Sequence, residues 1–490
     1  MKYKQTETPL LDAMQNYVAD GALAFHTPGH KQGKGMHKAF KELVTATGLA
    51  MEVSLMEELD DLHEPQTCLK AAQELAAELY GADESYFVIN GTTGAIHAMI
   101  LAVVNPGDKI IVPRNAHRSI IGGIMLSGAI PVFMQPEVDE QLGIAMAVTP
   151  EIVAKTIEDN LTAKAVLVVN PTYYGVSADL KKIADIVHQH HMILVVDEAH
   201  GPHLKFHDAL PVQAMDAGAD LVAQSTHKIL GSMTQSSMLH VRRGRIDINR
   251  VRTMLSLVQS TSPNYLLMAS LDVARMQMAT GGKASLAKAV ELANWARSQI
   301  NEIDGLYCFG AEKMAASNQY TLDVTKLTVT VKMLGLSGAE AEQILRYQYK
   351  IQSELSDIYN VLFIISYADG KEEVERLVNA LKELASKHAR TERNIDKQVV
   401  VYPAVPTAKL SPRQALFASK RAIAFTEAEG MVCSEVITFY PPGIPIICPG
   451  EIISQEVINY CLRMQEVGLK VVGPDDVTLK TIKIVHDLEE

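Results

Sequence analysis

From about residue 70 to 245 the chain alternates short, near-continuous runs of Val, Ile and Leu with stretches of helical period. That alternation constrains the fold more than any other feature. A strand that is apolar at successive positions must be covered on both faces, the situation of a parallel sheet flanked by helices. The runs predict strands at Tyr86–Asn90, Lys109–Pro113, Pro131–Met134, Ala165–Asn170, Ile193–Asp197, Leu221–Gln224 and Ser237–Val241. Amphipathic stretches such as Asp179–His191 supply the helices between them, with Asp179 placed to cap. The expected class is α/β with a mostly parallel central sheet, and such sheets carry functional residues at the carboxyl ends of their strands. Asn90, Asn170, Asp197 and Gln224 stand at those ends.

The flanking text reads differently. A helical pattern over Pro9–Ala19 leads into Phe25-His26-Thr27-Pro28-Gly29-His30-Lys31-Gln32-Gly33, too rich in Gly, Pro and His for a regular element. Residues 1–45 are therefore expected to form an arm, and 46–310 a large domain. Residues 311–388 suit a small α+β domain, in which Lys371–His388 puts Val374, Leu377, Val378, Leu381 and Leu384 on one helical face. A polar stretch, Arg390 to Asn394, opens a C-terminal domain over 389–490 that contains Tyr440-Pro441-Pro442-Gly443-Ile444-Pro445. At 490 residues, several domains are the natural expectation.

Composition excludes some classes. A formal net charge of −12 disfavours a nucleic-acid partner. No run of eighteen apolar residues and no leader pattern is present, so neither a membrane span nor export is expected, and the default location is the cytoplasm. Five scattered cysteines without a CxxC pair fit free thiols in a reducing compartment. The histidines around His200, His203 and His207 have possible ligand spacings, but Pro202 interrupts them and no metal is expected.

Chemistry concentrates in two adjacent strand–loop units. Asp197-Glu198-Ala199-His200 closes one apolar run, and Ser225-Thr226-His227-Lys228 follows the next, Lys228 lying 31 positions after Asp197. A buried unpaired acid costs several kcal/mol, on the order of what a cationic partner must return. A pyridinium N–H is such a partner, and an enclosed lysine is the amine that pyridoxal phosphate requires. The same DEAH letters occur in helicases, but no GxxxxGK[ST] accompanies them here. Asn90-Gly91-Thr92-Thr93-Gly94 at a helix start suits a phosphate. Arg114-Asn115-Ala116-His117-Arg118-Ser119 offers a ring to stack on a flat cofactor and two arginines to attract its phosphate; the bland alternative is a solvated loop capped by Ser119.

With these segments in view, the chain resembles the Orn/Lys/Arg decarboxylase family of aspartate-aminotransferase-like (fold type I) pyridoxal-phosphate enzymes. The likeness extends to Leu59-Asp60-Asp61-Leu62-His63, Asn170-Pro171-Thr172-Tyr173-Tyr174-Gly175, Thr261-Ser262-Pro263-Asn264-Tyr265 and Tyr440-Pro441-Pro442-Gly443. It implies that Lys228 carries the cofactor covalently, that Asp197 pairs with the pyridine nitrogen, and that His117 stacks on the ring. Thr92, Thr93, Gly94, Ser225 and His227 would hold the phosphate, with Ser262 contributed across a homodimer interface. This chain has His200 where larger members have Trp. Those members also carry an N-terminal receiver-like domain, whereas here the motifs begin by residue 25, so a short biosynthetic type is expected, most like the bacillus-type arginine decarboxylases.

The implied reaction is decarboxylation of a basic L-amino acid, arginine to agmatine first, with lysine or ornithine as alternatives. Lys228 or His200 would return the proton to the reacting carbon. Glu435, Asp60 and Asp61 are candidates for the acid that meets the substrate's basic end. Another pyridoxal-phosphate activity would share Asp197 and Lys228, and a non-catalytic regulator on the same fold is the reading from a different class.

Overall fold

The computed structural model describes residues 3–315, 319–388, 403–440 and 444–486. The polar stretch Arg390–Asn394 and Pro441–Gly443 of the proline-rich run lie outside the described residues. The chain divides into two compact units.

The first unit comprises Met1–Ala102, Val195–Asp208 and Val212–Ser285. Its helix Pro9–Asp20 starts with proline at the first turn and ends at Gly21, whose φ of 70° suits the left-handed cap. Leu10, Met14 and Tyr17 recur on one face and enter a core shared with Leu69, Ala72 and Ala76 of helix Cys68–Tyr80. The strands Glu84–Val88 and Leu221–Gln224 each pair antiparallel with Ser237–Val241. Leu221–Ala223 then pairs in parallel with Val195–Asp197. Every residue of Ser237–Val241 and of Leu221–Gln224 is buried, as their composition demands. His26–Gly33 forms only bends and turns, and Phe25 before it is 91% exposed.

The strand expected at Tyr86–Asn90 occupies Glu84–Val88. Its apolar text continues to Ile89, but the Ile89 amide donates to Gln259 Oε1 at 2.9 Å, so the ladder stops one residue earlier. The remaining expected strands fall within a residue of their places.

The second unit comprises Val103–Leu194, Ala209–Pro211 and Leu286–Glu490. Lys109–Pro113 runs parallel to both Ile130–Met134 and Ala165–Val169. Asp179 caps helix Leu180–Gln189 by accepting from the Lys182 amide. A four-stranded antiparallel sheet packs Leu327, Val329, Val361 and Phe363 against Val374, Leu377, Leu381 and Leu384 of helix Lys371–His388. A separate core gathers Phe425, Ile437, Ile447, Val457, Cys461 and Ile482.

Arg114, expected to attract a phosphate, does something else. Its buried guanidinium bonds both oxygens of Glu451, at 2.5 and 2.8 Å, and the Ile446 carbonyl at 2.7 Å. A charge that follows the buried apolar run Ile110–Pro113 needs such a partner, and bidentate carboxylate geometry satisfies it. Arg118, its companion in that reading, is exposed. Breaking one side of a buried pair costs about 3–5 kcal/mol. Arg114→Met should therefore lower the thermal midpoint substantially, and an unchanged calorimetric scan would contradict this role.

Candidate active site

Asp197 closes strand Ile193–Asp197 and is 3% exposed. Its Oδ1 accepts the Ala199 amide at 3.1 Å. Burial pushes its carboxyl above the ordinary range, while the Lys228 charge and the Ala199 amide pull the other way. An acid in this position gains from any further positive partner.

Lys228 lies in the one-turn helix Thr226–Ile229, which follows strand Leu221–Gln224 and is anchored by buried Ile229 and Leu230. Parallel pairing of this strand with the one bearing Asp197 brings the two loops together, Asp197 standing opposite Ala223. Lys228 Nζ lies 2.9 Å from His200 Nε2, and His200 is itself buried. Amine, imidazole and carboxylate thus belong to one neighbourhood.

A hydroxyl cluster stands beside them. Thr92 Oγ1 lies 2.5 Å from Ser225 Oγ and 2.9 Å from Ser237 Oγ. Ser237 donates its proton to the Gln224 carbonyl, so Thr92 must donate to Ser237 and Ser225 to Thr92. Thr226 Oγ1 is buried without a hydrogen-bond partner among the described residues, which leaves the loop with unspent polar capacity. His227 Nδ1 is 2.7 Å from the Ser236 carbonyl and therefore carries a proton. Gly91, at φ 68°, turns the chain into helix Gly91–Val103, where Thr93 is exposed. A Cβ on Gly94 would sit 3.0 Å from Asn90 Cβ, so glycine keeps that turn close.

The other expected site residues are held as follows. Ser262 is in an exposed loop whose hydrogen bonds run to Ser260, and His63 Nε2 meets the Ser260 carbonyl at 3.0 Å. His117 belongs to the second unit and caps helix Arg118–Ser127, its Nδ1 accepting from the Ser119 amide, so the capping residue is His117 rather than Ser119. Asp60 is buried, and its oxygens accept the amides of Gln66, Thr67 and Lys70 at the start of helix Cys68–Tyr80. Glu435 is likewise committed, its two oxygens accepting the Asp475 and Lys483 amides. Asp61 uses Oδ1 for the His63 amide.

Sequence reasoning missed what Gln224 and Glu198 do. Both are fully buried, and Gln224 Nε2 donates to Glu198 Oε2 at 2.7 Å. The signal was a lone amide in an apolar strand, which must find a partner. A cavity of 1330 Å³ in the first unit, lined by His63, Lys70, Glu84, Tyr86, Arg252 and Gln259 among others, includes neither Asp197 nor Lys228. Among the described residues, no group of three or more His, Cys, Asp or Glu side chains is placed to hold a metal. None of their helices is long and apolar enough to cross a membrane.

A buried acid closing one strand and a lysine in the turn after its parallel neighbour define the class: an α/β protein of the aspartate-aminotransferase-like, fold type I architecture. Residues 8–373 match the major domain of Orn/Lys/Arg decarboxylases, and residues 395–475 match their C-terminal domain. The chain belongs to the Orn/Lys/Arg decarboxylase family. It is 46% identical over 489 residues to an arginine decarboxylase of Halalkalibacterium halodurans, with 99% of each chain covered. It is 44% identical over 483 residues to an arginine decarboxylase of Bacillus subtilis, again covering 99% of both. The crystal structure of the Francisella novicida lysine decarboxylase LdcF shares the fold at a TM-score of 0.84 and 22% identity, over 98% of this chain and 81% of that one.

Proposed function

We propose that this chain is a pyridoxal-phosphate-dependent decarboxylase converting L-arginine to agmatine and carbon dioxide. The observation that carries the reading is the buried Asp197 carboxylate with Lys228 as its charged neighbour, Lys228 Nζ lying 2.9 Å from His200. The full-length likeness to arginine decarboxylases supports the substrate.

When bound, the cofactor supplies an electron sink for the pair released as the carboxylate leaves. Asp197 would keep the ring nitrogen protonated, and Lys228 would hold the aldehyde carbon. The unspent Thr226 hydroxyl suits an added anion. Thr92, Thr93, Gly94, Ser225 and His227 would hold its phosphate, with Ser262 supplied across a homodimer interface. His227 donates from Nδ1 to a carbonyl, so it can offer Nε2–H to a phosphate only as the charged imidazolium. His117 would stack on the ring. His200 would hold or pass the proton at Lys228 Nζ.

Asp60, Asp61 and Glu435 are the acids proposed for the guanidinium end, and each also accepts backbone amides. The reading includes an arm over 1–45, a large domain over 46–310, a small domain over 311–388, and a C-terminal domain over 389–490. A homodimer in the cytoplasm completes it, and five buried free cysteines suit that compartment.

The test is turnover of arginine, lysine and ornithine supplied separately, with product analysis. Agmatine from arginine is expected to dominate. Release of cadaverine or putrescine alone would overturn the arginine assignment, and absence of cofactor absorbance in the purified protein would overturn the reaction class.

A further inference from the structure

Beneath the candidate site, four buried side chains from separate segments form one hydrogen-bonded row. Ser85 Oγ and His240 Nδ1 are 2.7 Å apart, His240 Nε2 and Gln224 Oε1 are 3.0 Å apart, and Gln224 Nε2 donates to Glu198 Oε2 at 2.7 Å. Glu198 Oε1 accepts the Ala214 amide at 2.6 Å. Ser85 is 4% exposed and the other three are fully enclosed.

The row has a direction. Burial pushes the Glu198 carboxyl up to about 8; once ionised it can only accept from the Gln224 amide nitrogen, so Gln224 then presents its oxygen to His240, whose Nε2 must carry the proton. Nδ1 then accepts from Ser85. Burial holds His240 well below its ordinary value, to about 3, so the ring is neutral. Tyr80 covers it, ring centroids 4.5 Å apart.

Sequence adjacency makes this row more than packing. Glu198 follows Asp197, and Gln224 precedes Ser225. Successive side chains of a strand point to opposite faces, and the Glu198 amide continues the ladder by donating to the Ala223 carbonyl at 2.9 Å. The Glu198–Gln224 bond therefore ties, from the reverse face, the same two strand ends that present Asp197 and the Lys228 turn.

We propose that Glu198, Gln224 and His240 are positioning residues that fix the spacing between the Asp197 carboxylate and the Ser225–Lys228 turn. The proposal rests on the decarboxylase reading. Sub-ångström to ångström misplacement of reacting groups costs rate more than binding: on the order of tenfold to a hundredfold.

Gln224→Leu removes both central bonds. It is expected to lower kcat by about tenfold or more while KM for arginine stays within about twofold. The pH titration of the bound cofactor's absorbance should shift as Asp197 moves. A folded Gln224→Leu enzyme with wild-type kcat and wild-type titration would overturn the proposal. Glu198→Gln provides a second test that does not depend on that variant folding. Its new amide must donate, so Gln224 must turn over and His240 must exchange tautomers, from Nε2–H to Nδ1–H. Nitrogen-15 NMR of the full-length protein, compared with wild type above the pH at which Glu198 ionises, reads this directly. An unchanged His240 tautomer would also overturn the proposal. A wild-type protein without cofactor absorbance would instead defeat the decarboxylase reading, which separates the two failures.

Discussion

Replacing Lys228 with alanine is expected to reduce turnover by at least about a thousandfold while leaving the cofactor bound non-covalently. Two losses combine. The amine that would hold the aldehyde carbon disappears, and His200 loses the group 2.9 Å away with which it can exchange a proton. The phosphate contacts proposed for Thr92 and Ser225 and the pairing proposed for Asp197 would not pass through Lys228, so retention without a covalent bond is expected. Borohydride treatment checks it: wild type should trap the cofactor on the chain and Lys228→Ala should not, as read by mass spectrometry. A variant that decarboxylates at the wild-type rate would remove Lys228 from its assigned place.

Asp197→Ala should have the second-largest effect, on cofactor affinity and on rate together. Loss of one partner from a buried charge pair costs about 3–5 kcal/mol, roughly a few hundredfold to a few thousandfold in an equilibrium constant. Raised by burial, Asp197 is an acid that favours its neutral form until a cation offsets the desolvation. The ring nitrogen would be that cation. Cofactor titration of the apo-protein, followed by single-turnover kinetics with arginine, measures both effects. Wild-type values in both would rule out the pyridinium pairing.

How much of this was readable in the chain depends on distance along it. The strands were legible because fully apolar runs such as Ile193–Val196 and Leu221–Ala223 admit few alternatives to burial on both faces. Asp197 and Lys228 were legible as a pair because each ends or follows such a run. Partners were not. Arg114 was read as attracting a phosphate, because Glu451 lies 337 positions away and only the folded chain brings them together. The acids Asp60 and Glu435 were plausible by residue type, yet a carboxylate's letter does not disclose which backbone amides it will accept. Gln224 and His240 likewise looked like isolated polar letters in apolar strands, and their continuity with Ser85 and Glu198 emerges from strand order rather than from spacing.

The Arg114–Glu451 clasp has a consequence for engineering. Segments that end near residue 400 are natural places to splice relatives together, yet position 114 is two residues from Ala116 and three from His117, the ring expected over the cofactor. A hybrid that imports a tail lacking a carboxylate at position 451 would strand a guanidinium in an apolar interior just upstream of that histidine. Tails are interchangeable only as matched sets with the strand that receives them.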